Sequence, residues 1–257
     1  LLILGSPLRR AAQYHGQGVM RNVAIVVFLL VSSVCSIASG QQNQEEPVQP
    51  DVVSALPGEA PSDAIVLFDG SGFDEWQKQG GGDVHWLLDG DDMIVQRGGG
   101  IVTKREFGDM QIHIEFKCPA PARGEGQGRG NSGVYIHGMY EVQVLDSYEN
   151  DTYPDGMASA IYQQHIPLVN PSRPPGIWQA YDIIFHAARF DGNGEITENP
   201  RLTILFNGVL VQDNVVLEGP TAGGLSNVQR SAGPIFLQDH QNPIRFRNIW
   251  VRELNPR

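Results

Sequence analysis

The stretch GRGNSGVYIHGMYEVQVLDS, residues 128–147, breaks from a glycine-rich run into alternation. Period two puts Glu141, Gln143 and Leu145 on one face of a strand, and Val142, Val144 and Asp146 on the other. The valines suit a packed interior. Glu141 and Gln143 then face outward, onto whichever surface a second sheet does not cover. A β-bulge near Leu145 would flip the parity and bring Asp146 round beside them. Polar side chains are ordinary on an exposed strand face, so alternation alone leaves open whether this row does any chemistry.

Similar short runs recur on both sides, separated by Gly, Asn, Asp and Pro. They include AIVLF (64–68), WLLDGDDMIVQ (86–96) with a turn at Asp89–Gly90, and QIHIEFKC (111–118). Further along come YDIIFHAARF (181–190), RLTILFNGVLVQ (201–212), GPIFLQDH (233–240) and IRFRNIWVREL (244–254). In RLTILFNGVLVQ, Asn207–Gly208 sits between two β-rich arms, and both residues tolerate the positive φ of a tight hairpin. No internal repeat, heptad pattern or strong amphipathic helix intervenes. The expected fold is all-β: a two-sheet antiparallel β-sandwich of jelly-roll type.

The chain starts at Leu1, and its first methionine is Met20. From there Arg21, an uncharged apolar run over Val23–Val34 and the small residues Ala38, Ser39 and Gly40 have the layout of a secretory signal peptide, with cleavage expected before Gln41. The apolar run falls short of the ~20 residues that span a bilayer, so no membrane span is expected. Val34 before Cys35 is too large for a lipoprotein cleavage site. The expected organisation is therefore an over-extended start plus signal peptide over 1–40, a Gln/Glu/Pro-rich linker over 41–62, and one domain over 63–257. The expected location is periplasmic or extracellular. Losing Arg9, Arg10 and Arg21 but no acid takes the net charge from −11 to −14, which disfavours nucleic-acid partners. Cys118 alone survives cleavage, so no internal disulfide can form. It shares the parity of Ile112, Ile114 and Phe116 and reads as a small buried hydrophobe.

Several blocks occur in a telling order: LFDG (67–70), TKREFGDMQIHIEFK (103–117), GNSGVYIHGMYEVQVLDS (130–147), RPPGIWQAYDIIFHAARF (173–190), LFNGVLVQ (205–212) and GPIFLQDHQNPIRFRNIWVREL (233–254). Together they resemble the 3-keto-disaccharide hydrolase domain family across residues 63–254. The resemblance implies a concanavalin A-like jelly roll that binds sugar on one curved sheet. It also implies action on glycosides whose C3 hydroxyl is already a ketone, and hence an upstream sugar oxidoreductase as pathway partner. Two positions depart from the family pattern: Ile177 stands where an acid is expected in RPPGIW, and Gln241 where a glycine is expected in LQDHQNP.

A C3 ketone acidifies the proton on C2, so a single base can start an elimination that expels the C1 substituent, and water can then add back. Such a site needs a base, a donor for the ketone oxygen and an acid for the leaving group. Glu141 is the expected base and Gln143 the expected oxyanion donor. His165, before a proline-rich loop, and His240, at a strand end, compete for the catalytic roles. Arg129, Asn131, Asp146, Trp178 and Gln238 are the expected substrate contacts, with Arg129 reaching toward the ketone oxygen and Trp178 stacking on a sugar ring. His137 stays ambiguous, and His113 and His186 are expected on exposed strand positions. No cofactor is required by any motif. DGDD (89–92) and FDGNGE (190–195) read as hairpin turns, although Glu141, Asp146 and a histidine could meet a divalent cation in space. Two other readings remain open: a non-catalytic carbohydrate-binding module, and an ordinary endoglycosidase using Glu141 and Asp146.

Overall fold

The computed structural model describes residues 49–56 and 58–254. The expected leader and its cleavage site lie outside the described residues. In chain order the strands are β1 (Ile65–Phe68), β2 (Trp76–Lys78), β3 (Leu87–Asp89), β4 (Asp92–Ile94), β5 (Ile101–Thr103), β6 (Met110–Lys117), β7 (Ser132–Ile136) and β8 (Tyr140–Val144). They continue with β9 (Gln179–His186), β10 (Arg189–Phe190), β11 (Ile196–Glu198), β12 (Arg201–Phe206), β13 (Val209–Val216), β14 (Phe236–Leu237) and β15 (Arg245–Glu253). Helical structure among the described residues is limited to two short 3-10 turns, Gly126–Gly128 and Pro154–Gly156, and no helix there is long and apolar enough to cross a membrane.

A large sheet runs β13-β12-β9-β6-β15-β4-β3, with β1 also paired to β15, and a smaller sheet runs β2-β5-β14-β7-β8. The pairings are antiparallel. The chain passes repeatedly from one sheet to the other, which is the weave of a jelly-roll sandwich. Alternation explains why the sheets stack. In β6, Met110, Ile112, Ile114 and Phe116 are fully buried while their neighbours are half exposed. Tyr181, Ile183 and Phe185 of β9 and Val134, Ile136, Val142 and Val144 of the small sheet join the same apolar core. Cys118 is buried with them, and burial pushes its thiol far above the ordinary range.

The expected strands appear where alternation or a hairpin signal marked them. Asn207 and Gly208 take φ of 53° and 78° at the β12–β13 turn. Residues 190–195 close the β10–β11 hairpin, with Asp191 Oδ1 accepting from Asn193 N and Glu195 N. The strands β2 and β5, three residues each, are too short to carry a period. The described residues of 51–62 hold no strand, but Ser54 and Ser62 bond one another twice and Asn248 Nδ2 donates to Gly58 O. This part of the expected linker is therefore fastened to the domain.

Strands β7 and β8 are buried at all ten positions, on both faces. The face of β8 opposite the core is covered by chain rather than open to solvent. Along its free edge, Gln143 N bonds Ala160 O, Ser159 N bonds Gln143 O, and Tyr162 N bonds Glu141 O. Tyr181 of the facing sheet donates from its buried hydroxyl to Gln143 O at 2.7 Å.

Candidate active site

The register of the β7–β8 hairpin builds the site. Tyr135 lies opposite Glu141, and Gly133 opposite Gln143. Across the other edge Val142 bridges Ile161, and both of these side chains belong to the core. Alternation then sends Glu141 and Tyr162 to the far face together. Glu141 is thus flanked by a tyrosine on each side. Gly133 is required here: a Cβ at that position would run into the Glu141 carboxyl and the Tyr135 ring.

Glu141 is 3 % exposed. Burial raises its carboxyl from 4.5 to about 7, against the opposing pull of the neighbouring Tyr135 hydroxyl. Tyr135 donates to Ala222 O and accepts from Gln238 Nε2, each at 3.1 Å. Burial and the adjacent Glu141 carboxylate push its own hydroxyl far upward.

These residues line a cavity of about 120 Å³, whose wall is completed by Gln127, Asn131, Gln143, Tyr162 and His240. Its amide donors are turned into the protein. Gln143 Nε2 gives to Gln127 Oε1 at 2.9 Å and to Gly156 O at 3.3 Å, and Asn131 Nδ2 gives to Gln127 O at 2.8 Å. Gln143 Oε1 and Gln238 Oε1 are buried with no protein partner. A buried acceptor left unpaired costs about 1–3 kcal/mol. The arrangement therefore suits a ligand that brings hydroxyl donors. His240 stands exposed at the rim. Asp239 holds that turn, taking bonds from the amides of Gly98, Gly99 and Gln241.

Residues 63–252 match the 3-keto-alpha-glucoside-1,2-lyase-like domain family. The chain belongs to this family. A crystal structure of a candidate glycosyl hydrolase from Parabacteroides distasonis is 44 % identical, covers 86 % of this chain and 98 % of its own, and superposes with a TM-score of 0.76. Two further candidate glycosyl hydrolases of that organism share the fold at lower identity. One is 17 % identical over 75 % of this chain and 94 % of its own, with a TM-score of 0.55. The other is 19 % identical over 74 % and 99 %, with a TM-score of 0.53. No curated protein sequence matches.

The lyase-like domain brings five of the sequence-derived candidates to one cavity: Glu141, Gln143, Asn131, Gln238 and His240. Four others lie elsewhere. Val144 and Leu145 both enter the core, so the alternation does break at Leu145. Yet Asp146 does not join Glu141, because Arg129 Nε takes its carboxylate at 2.7 Å. Arg129 gives two further N–H groups to Tyr148 O and Glu149 O. This ion pair lines a wider cleft of about 590 Å³. The Arg129 and Asp146 charges satisfy each other there, whereas Glu141 lines the smaller cavity, which is the candidate site. His165 is also diverted, its Nε2 meeting Val216 O at 2.7 Å. Trp178 packs on the outer face of the large sheet, with Lys117 Nζ and Arg247 Cζ 4.2 and 4.1 Å from its ring.

Gln143 is corrected in role rather than place. With both amide hydrogens engaged, it presents an acceptor and not the expected oxyanion donor. His113 is not on an exposed position but half-buried, stacked on Trp250 and bonded to Asp182 at 2.7 Å. His137 closes the β7–β8 turn with φ 53°, and burial lowers its pKa. Of the two departures from the family pattern, Ile177 is exposed and does not line the Glu141 cavity. Gln241 takes φ 63°, a conformation that glycine adopts without strain. Among the described residues, no three His, Cys, Asp or Glu side chains gather as a metal set.

Gln127, Tyr135 and Tyr162 escaped the sequence reading. Tyr135 was recoverable, since pairing SGVYI with YEVQV sets it against Glu141. Tyr162 lies outside any periodic run and is placed only by the bridge through Ile161.

Proposed function

We propose that this lyase-like domain cleaves the glycosidic bond of 3-keto-glycosides, with Glu141 as the base that removes the C2 proton. The observation that carries the reading is the Glu141 carboxyl, raised by burial to about 7 and facing a cavity with two unpaired acceptors, Gln143 Oε1 and Gln238 Oε1. A base near neutrality is both available and strong enough to take a proton α to a ketone. The electron pair left at C2 forms the C1–C2 double bond and expels the C1 oxygen substituent. Water then adds across that bond to give the free 3-keto sugar. Gln143 Oε1 and Gln238 Oε1 would accept bonds from the sugar hydroxyls. His240, exposed at the rim, is the proposed donor to the ketone oxygen, the role first expected of Gln143.

The ketone has to be made first, so an oxidoreductase acting at C3 is the proposed supplier of substrate. The leader-like segment that begins at Met20 supports export as the setting. The test is turnover of a 3-keto-glucoside beside its unoxidised parent, by wild type and Glu141→Gln, with and without chelator. Cleavage of the keto form alone, lost in the variant, is expected. Cleavage of the parent would favour an ordinary glycosidase, and sugar binding without turnover a recognition module.

A further inference from the structure

We infer that Tyr162 is the acid that protonates the departing glycosidic oxygen, with Tyr153 returning the proton from solvent. This rests on the proposed elimination and names a group that the elimination still lacks. Tyr162 shares the cavity with Glu141 and is bonded to it through the backbone, Tyr162 N to Glu141 O at 3.1 Å. Its hydroxyl lies 2.5 Å from that of Tyr153. Tyr153 is 41 % exposed, so the pair leads from the cavity to bulk water. The loop is shaped to hold it: a Cβ on Gly156 would collide with the Tyr153 ring, and the two tyrosine rings meet edge-on at 6.2 Å.

The proton balance closes. As the C2 pair forms the double bond and the C1–O bond breaks, the leaving oxygen takes the Tyr162 proton. Negative charge developing on Tyr162 is held by the Tyr153 hydroxyl, which passes its own proton across the short bond and recovers one from water. Among the described residues, neither tyrosine hydroxyl has a protein hydrogen-bond partner other than the other.

The experiment compares Tyr162→Phe and Tyr153→Phe with wild type on 3-keto-glucosides that share the sugar but differ in leaving group, from nitrophenol to a sugar alcohol. Urea midpoints verify that each variant is folded. A nitrophenolate leaves without help, so Tyr162→Phe should retain kcat/KM there to within about threefold, while the sugar-alcohol substrate falls by about 10²–10⁴. Tyr153→Phe should show the same pattern at smaller size. An equal loss on all leaving groups, or no loss on the sugar alcohol, would overturn the assignment. Wild type inactive on every keto-glycoside would instead remove the elimination reading, and this role with it.

Discussion

Replacing Glu141 by Gln should stabilise the protein at pH 8 even as it abolishes turnover. Unfolded, the carboxyl ionises from about 4.5; folded, burial delays ionisation to about 7. Between these values the unfolded state loses its proton first, so stability falls as pH rises and is level above 7. At about 1.36 kcal/mol per pH unit, the wild type forfeits about 3 kcal/mol from this one group by pH 8. Glutamine does not titrate. The stability of Glu141→Gln relative to wild type should therefore be about 3 kcal/mol more favourable at pH 8 than at pH 4. Urea unfolding followed by tryptophan fluorescence reads this directly: with a slope of about 1–3 kcal/mol/M, the gap between midpoints changes by roughly 1–3 M. Other titrating groups cancel in the difference. A relative stability that is the same at both pH values would refute the argument that Glu141 is desolvated.

Further outcomes follow from the same geometry. As a base, Glu141 must be ionised, so kcat/KM should rise with pH through about 7; a fall over that range would make it an acid instead. Gly133→Ala should cut turnover at least tenfold while the protein stays folded by circular dichroism, because the new methyl displaces the Glu141 carboxyl. Burial disfavours a charged His113, but its bond to Asp182 and the Glu115 carboxylate 3.7 Å away outweigh this and raise it to about 9. The stability it adds is full below pH 6.5 and lost as pH rises to 9, so His113→Gln should cost about 2 kcal/mol at pH 6 and little at pH 10, by urea midpoint. Tyr181→Phe removes one of the two donors to Gln143 O, leaving Ser159 N, and should cost about 0.5–1.5 kcal/mol in the same assay.

Much of the site was legible because its central residues sit on regular strands. Period two fixed Glu141 and Gln143 on one face, and the valines between them fixed which face. The Asn207–Gly208 hairpin was legible because its backbone needs positive φ. What failed depended on contacts between distant segments. Nothing in the order of residues says that Arg129 captures Asp146, that Val216 O captures His165, or that Lys117 and Arg247 flank Trp178. The reversed role of Gln143 has the same origin. Its amide is oriented by Gln127 and Gly156, from turns that carry no periodic signal. Glu141 was expected on an outward face, yet Tyr135, Tyr162 and the turns bearing Gln127, Ala222 and Gln238 wall that face in, and this burial is what shifts its carboxyl.

The most direct test of C2 deprotonation uses an aryl 3-keto-glucoside carrying deuterium at C2, cleaved in ordinary water beside its protio counterpart. The account predicts slower cleavage of the labelled substrate and loss of deuterium from C2. Cleavage at an equal rate with the deuterium retained would contradict it, because the C1–O bond would then have broken without Glu141 removing that proton.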